Sequence, residues 1–253
     1  MADADTDVAD CTVPAVVLRV VPSLALEVDS RPLAIPSRVR RLLALLAVHD
    51  GAAARHALAG ALWPDSPLGR ATSNLSSTLW LVPERTHVIA LEAHRVALAP
   101  RVGLDLRELR LLARRILDGH ADLTDLLAAA ERLSLDIAED EDEPWLDPHR
   151  DSYRQLRLHA LEAASAALSD AGRHWQAVQA AQVALAGDAL RESAHAALMA
   201  AHLAEGNRAE ALRQFERCAA LLETELRISP GPGVWALRAL ALDGPDPPQD
   251  RLP

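Results

Sequence analysis

The sequence predicts a mainly α-helical protein with a small β-containing N-terminal part, on three observations. Leu and Ala supply most of the apolar side chains while aromatic residues make up only 3% of the chain, a composition suited to closely packed helices rather than a thick β core. From residue 104 onward apolar positions recur at helical spacing. Before that point, short β-like runs bracket three helical segments. At 253 residues and 50% apolar content, the chain is long enough for one large or two ordinary domains.

Residues 1–12 read as a disordered acidic tail. Residues 15–21, 24–28 and 33–35 have the pattern of small strands, broken at Pro22-Ser23 and Asp29-Ser30. Ser37 is placed to cap a helix over 38–48, whose Val39, Leu42, Leu43 and Leu46 share one face while its arginines take the other. Gly51 suits the left-handed turn beyond it. A second short helix over 55–63 turns Leu58, Leu62 and Trp63 inward and stops at Pro64. After a loop at 65–69, a third helix over 70–82 points Ala71, Leu75, Leu79 and Val82 inward and Ser73, Asn74, Ser77 and Trp80 outward. Residues 87–91 and 95–98 then pair as a hairpin with Glu92-Ala93-His94 at its tip. Three helices followed by a hairpin is the order of a winged helix-turn-helix.

Beyond residue 100 the pattern predicts helices over 105–117, 122–134, 149–171, 173–186, 191–205, 207–225 and 232–242, with the acidic run 139–143 as a solvated loop. Residues 171–180 superimpose on 205–214 at a shift of 34, Gly172 over Gly206 and Ala177 over Ala211. That period, with glycine at a helix–helix turn, is the tetratricopeptide pattern, so these helices are expected to stack into one solenoid. Trp175 and Trp235 are expected to pack helices together. The predicted division is a winged helix-turn-helix DNA-binding domain at 13–100, a helical-repeat domain at 101–242 and a Pro/Asp-rich tail at 243–253.

Charge and composition narrow the function. All 26 basic residues are arginine, which excludes phosphate-loop, Schiff-base and cofactor-anchoring chemistry that depends on lysine. Cys11 and Cys218 cannot build a disulfide framework or a zinc cluster, and His195 and His202, seven residues apart on one helix, do not form a paired metal site. No catalytic residue, metal or cofactor is expected. The acidic N-terminus lacks the features of a secretory signal, and no apolar stretch reaches the roughly 18–20 residues that span a bilayer, so a cytoplasmic protein with no membrane partner is expected. The net charge of −10 is unevenly spread: residues 1–30 carry −5, residues 31–115 carry +7 and residues 116–253 carry −12. Positive charge confined to the winged-helix segment is the distribution expected of a domain that meets phosphates.

Residues 40–49, 61–65 and 73–80 resemble the winged-helix half of the SARP-type bacterial transcriptional activators, and residues 190–217 and 225–232 resemble their bacterial transcriptional activation domain with tetratricopeptide-like repeats. The resemblance covers roughly 15–242 and is to the small form without an NTPase module. It implies a DNA-binding regulator that binds promoter repeats in double-stranded DNA as a homodimer and contacts RNA polymerase. It places the polymerase contact in the loop after the second helix, here Trp63, Pro64, Asp65, Ser66 and Gly69. One departure stands out: where such proteins continue the third helix with an arginine-rich run, this chain has Leu81, Val82, Pro83, Glu84 and Arg85. About two or three phosphate contacts are thereby lost, each worth about 0.9 in salt slope, which predicts a weaker or more partner-dependent binder.

Within that frame, Asn74 and Ser77 are the candidates for reading base edges, an amide suiting adenine and a hydroxyl either base. Ser73, Ser76 and Thr78 assist, Arg70 and Arg85 hold phosphates, and Arg95 with His94 on the wing probes the minor groove or backbone. A solvated helix face is the competing reading of these positions. Arg38, Arg40 and Arg41 read as solvated or interdomain pairing residues. The alternative function is a protein-interaction scaffold whose winged helix binds DNA weakly or not at all.

Overall fold

The computed structural model describes residues 15–243; the N-terminal tail, Cys11 and all of the C-terminal tail but Asp243 lie outside the described residues. The chain divides into two units. The first runs to Arg107 and also includes Ile137–Leu146; the second comprises Glu108–Asp136 and the chain from Asp147 on.

In the first unit, β1 (Val16–Arg19), β2 (Ala25–Val28), β3 (Arg31–Leu33) and β7 (Gly103–Leu104) form a sheet in the order β3-β2-β1-β7, antiparallel except for β1 with β7. Val16, Leu18 and Leu26 are buried at alternate positions, as a sheet with one covered face requires. Asp29 and Ser30 both take positive φ, 50° and 62°, the geometry of a tight two-residue hairpin whose twist matches its strands.

Helix α1 (Ser37–Val48) is covered over most of its surface: Val39 and all of 42–48 are buried, each of its leucines contributing on the order of 1.5–3 kcal/mol. Ser37 makes no side-chain cap; Pro36 holds the cap position, and its carbonyl accepts from the Val39 and Arg40 amides at 2.9 and 3.0 Å. The helix ends through Gly51 at φ +89°, where a Cβ would sit 2.8 Å from Arg107 Nη2. A strand the sequence reading missed follows, β4 (Ala52–Ala54), because alanine carries little strand signal. It pairs with β6 (Arg95–Leu98), which pairs with β5 (Ile89–Leu91), in a second sheet ordered β4-β6-β5. Between β4 and β5 lie α2 (Arg55–Leu62) and α3 (Leu68–Trp80), the latter beginning and ending two residues earlier than its sequence pattern indicates.

The acidic run is not a solvated loop. Ala138 and Glu139 donate backbone N–H groups to the carbonyls of Val20 and Pro22, each at 2.7 Å. Arg40 donates to Asp140 at 2.7 Å and Glu141 at 2.8 Å, and Arg41 donates to Glu143 at 2.9 Å and to the Leu62 carbonyl at 3.0 Å. Of the three α1 arginines that read as solvated or pairing residues, Arg40 and Arg41 are thus paired within their own unit, while Arg38 is exposed.

Helix α4 (Asp105–Leu117) starts in the first unit, where the Asp105 carboxylate accepts from the Val20, Val21 and Leu106 amides. Burial pushes the Asp105 pKa up, against those hydrogen bonds. In the second unit, α5 (Leu123–Arg132), α6 (Asp147–Asp170), α7 (His174–Gly187), α8 (Glu192–Ala204), α9 (Arg208–Leu226) and α10 (Pro232–Leu242) pack in sequence, with α6 also on α8 and α8 also on α10. The 34-residue repeat is physical: Gly172 and Gly206 both take positive φ, and Arg173 N to Leu168 O and Asn207 N to His202 O close the same turn at 2.8 Å. Trp235 packs edge-on to Phe215 at 4.7 Å, with Arg238 over both rings, but Trp175 is 63% exposed and packs no helices together. Burial pushes the Cys218 thiol up to about 11, which makes it an inert core side chain. No described helix is long and apolar enough to cross a membrane.

Candidate nucleic-acid interface

Helix α3 packs on α2 and α1 through Ala71, Leu75 and Thr78, with Leu79 half-buried. Spacings of four and three residues put Thr78 on the inner face. It is fully buried, and its hydroxyl donates to the Asn74 carbonyl at 2.9 Å. Thr78 therefore cannot reach a nucleic acid, a correction to the sequence reading.

Ser73, Ser76 and Ser77 lie on the opposite side, while Asn74, four residues before Thr78, lies at the flank of the buried face. Ser73 and Ser77 are exposed and Asn74 and Ser76 half-buried. Every hydroxyl donates to the carbonyl four residues back: Ser73 to Gly69 at 3.0 Å, Ser76 to Thr72 and Ser77 to Ser73 at 3.1 Å. With their donors engaged along the helix, these serines offer outward lone pairs only. The Asn74 amide has no partner among the described residues and keeps both its donor and its acceptor for a ligand.

Arginines surround this helix. Arg70 lies in its first turns, Arg85 in a short 3-10 turn at Glu84–Thr86, and Arg95 opens β6 beside the exposed His94. None of the three forms an ion pair among the described residues, whereas Arg40 and Arg41 on α1 are both neutralised. The contrast is local, because residues 15–107 and 137–146 together hold eleven arginines and twelve acids. The positive excess of the sequence segment is cancelled over the unit as a whole, and what α3 and the wing keep is arginines without an ion pair among the described residues.

One residue of this face, Arg55, escaped the sequence reading, whereas Trp80 points outward as its spacing indicates. Arg55, at the start of α2, donates its backbone N–H to the His94 carbonyl at 3.0 Å and reaches Ser76 Oγ with its guanidinium at 3.4 Å, joining wing tip to helix. Trp80 is 85% exposed; it falls one turn beyond Ser76 and Ser77, a position the helical period alone indicates. Pro83 turns the chain away just beyond it. Between α3 and the wing runs a groove of about 540 Å³, lined by Arg55, Ser76, Leu79, Trp80, Ile89 and Leu91 among others.

The loop expected to face a polymerase is shorter than its sequence range. Trp63, Pro64, Asp65 and Ser66 line a second groove, of about 630 Å³, with Arg41, Glu143 and Trp145. Trp63 is half-buried, while Gly69 belongs to the first turn of α3.

Residues 118–241 match the bacterial transcriptional activator domain. No curated protein matches the chain. Among solved structures, Mycobacterium tuberculosis EmbR in complex with a low-affinity phosphopeptide is similar in fold, with a TM-score of 0.65 at 20% identity over 90% of this chain. The match spans 65% of the EmbR chain. The second half of the chain thus matches the bacterial transcriptional activator domain, and the chain as a whole is similar in fold to EmbR.

Proposed function

We propose that the protein is a DNA-binding transcriptional regulator that activates by binding promoter repeats and contacting RNA polymerase. In this reading α3 enters the major groove with Asn74 and Ser77 at base edges, Ser73 and Ser76 beside them, and Arg70 and Arg85 on phosphates. The wing brings Arg95 and His94 to the minor groove or backbone. A homodimer matches paired half-sites, the loop from Trp63 to Ser66 with Gly69 behind it offers the polymerase contact, and the role sets the protein in the cytoplasm. The observation that carries the reading is the set of arginines around α3 and the wing that form no ion pair among the described residues, in a unit where Arg40 and Arg41 of α1 are neutralised.

A salt series of binding by the full chain tests it, comparing duplex from its own promoter region with random duplex. The regulator reading expects tighter binding to the promoter at moderate salt and a loss of that preference in Asn74→Ala. Equal binding to both duplexes sinks it. The near balance of eleven arginines and twelve acids, and the end of α3 at Pro83, favour the second reading in that case: a repeat scaffold whose winged helix grips DNA weakly.

A further inference from the structure

The groove between α3 and the wing has the features of a small-molecule site. Its volume of about 540 Å³ falls within the range of about 300–1,000 Å³ typical of ligand pockets. Its walls are mainly apolar: Leu79 and Val82 on the helix side, Ile89 and Leu91 on the wing, with Trp80 at the rim. Trp80 and Leu91 are 85% and 62% exposed, and nothing in the unit covers them.

One cation stands in this lining. Arg55 is half-buried, makes one long hydrogen bond to Ser76 and forms no ion pair among the described residues. Glu84 also lines the groove, but it follows the end of α3, beyond Pro83, whereas Arg55 meets the helix a turn before that end. The groove lining thus carries one arginine and one acid, which form no ion pair with each other, among apolar walls.

We propose that this groove binds a small apolar carboxylate, its acid group on the Arg55 guanidinium and its apolar body against Leu79, Ile89 and Leu91 beneath Trp80. Charge complementarity selects an anion at Arg55, and Glu84 excludes a second one. A neutral compound of the same shape leaves Arg55 unanswered and binds less well. Because Ser76 and Trp80 belong to both the groove and the outer face of α3, an occupied groove alters the surface offered to DNA. The site itself does not depend on the DNA reading.

Calorimetric titration of the full chain with 1-naphthoate, without DNA, tests the proposal. The expected result is saturable binding at one site per chain, weakened about ten- to a hundredfold in Arg55→Gln and unchanged in Arg70→Gln. The alcohol 1-naphthylmethanol should bind about tenfold or more weakly than the acid. Ile89→Trp, which fills the groove, should abolish binding; a thermal melt of each variant checks that it is folded. Absence of naphthoate binding, equal binding of acid and alcohol, or a folded Arg55→Gln that binds as the unchanged protein does overturns the proposal. Any of these results leaves the promoter assay free to succeed or fail separately.

Discussion

Arg40 and Asp140, separated by one hundred residues of chain, meet at 2.7 Å, and the same guanidinium also holds Glu141. With the Arg41–Glu143 pair beside it, this ties the acidic run to α1 and takes Arg40 and Arg41 out of the charge available to phosphates. Replacing the three acids with amides (Asp140→Asn, Glu141→Gln, Glu143→Gln) should destabilise the first unit by about 1–3 kcal/mol, since two half-buried arginines lose their partners. The same variant should bind random duplex DNA more tightly with a steeper salt dependence. Denaturant melts and a salt series measure the two effects, which run in opposite directions.

Among the described residues, Arg70 and Arg95 have no side-chain partner to lose. Arg70→Gln and Arg95→Gln should each leave the melting temperature unchanged and lower the slope of log K against log salt by about 0.9. Promoter and random duplex should be affected alike, because a phosphate contact carries no sequence information.

Thr78→Val should change neither DNA affinity nor sequence preference. The hydroxyl is buried against the Asn74 carbonyl, which also accepts within the helix, so near-isosteric removal is expected to cost about 1 kcal/mol or less. A melt and a binding isotherm suffice to check it. Asn74→Ala, four residues earlier at a half-buried position whose side chain has no partner among the described residues, should show the opposite pattern, with stability kept and promoter preference lost.

In the second unit, Gln214 donates to His195 Nδ1 at 2.6 Å while Nε2 faces the Ala189 carbonyl at 2.9 Å, and both side chains are buried. Gln214→Ala leaves a ring nitrogen without a partner in the core. A loss of about 1–3 kcal/mol is expected from chemical denaturation.

Arg115 donates to both carboxylate oxygens of Asp125, at 2.7 and 3.0 Å. The Arg115 hydrogen bond holds the Asp125 carboxyl below the ordinary value of 3.8. A carboxyl whose folded pKa is depressed favours the fold above its unfolded pKa, and that contribution is lost as pH falls through the depressed value. A carboxyl NMR titration should find Asp125 low in the unchanged chain and returned towards 3.8 in Arg115→Gln, whose acid unfolding limb should be correspondingly shallower.

Much of this was readable from period and punctuation. The helices α4 to α10 lie within a few residues of their sequence pattern, because Leu and Ala at helical spacing, Gly172 and Gly206 leave few alternatives. Strand β4 was not readable, since three alanines carry a signal only once Arg95–Leu98 is known to lie alongside. Thr78 misled because a hydroxyl satisfied by its own helix turns inward as readily as a small apolar group. Arg55 was invisible for a related reason: its role comes from His94 and Ser76, which its own segment does not name. The acidic run misled most, since a block of like charge reads as solvated unless its counterions, here one hundred residues away, are in view.

The chain's path through Ile137–Leu146 has a bearing on how such a two-unit chain can be recombined. A single joint placed near residue 105 would transfer the winged helix without the segment that neutralises Arg40 and Arg41, and the recipient's own acidic segment would have to fit a foreign α1. The two units are therefore not beads on a string that one crossover can exchange. A chimera needs two grafts, and its failure with one would report a mismatched ten-residue insert rather than incompatible domains.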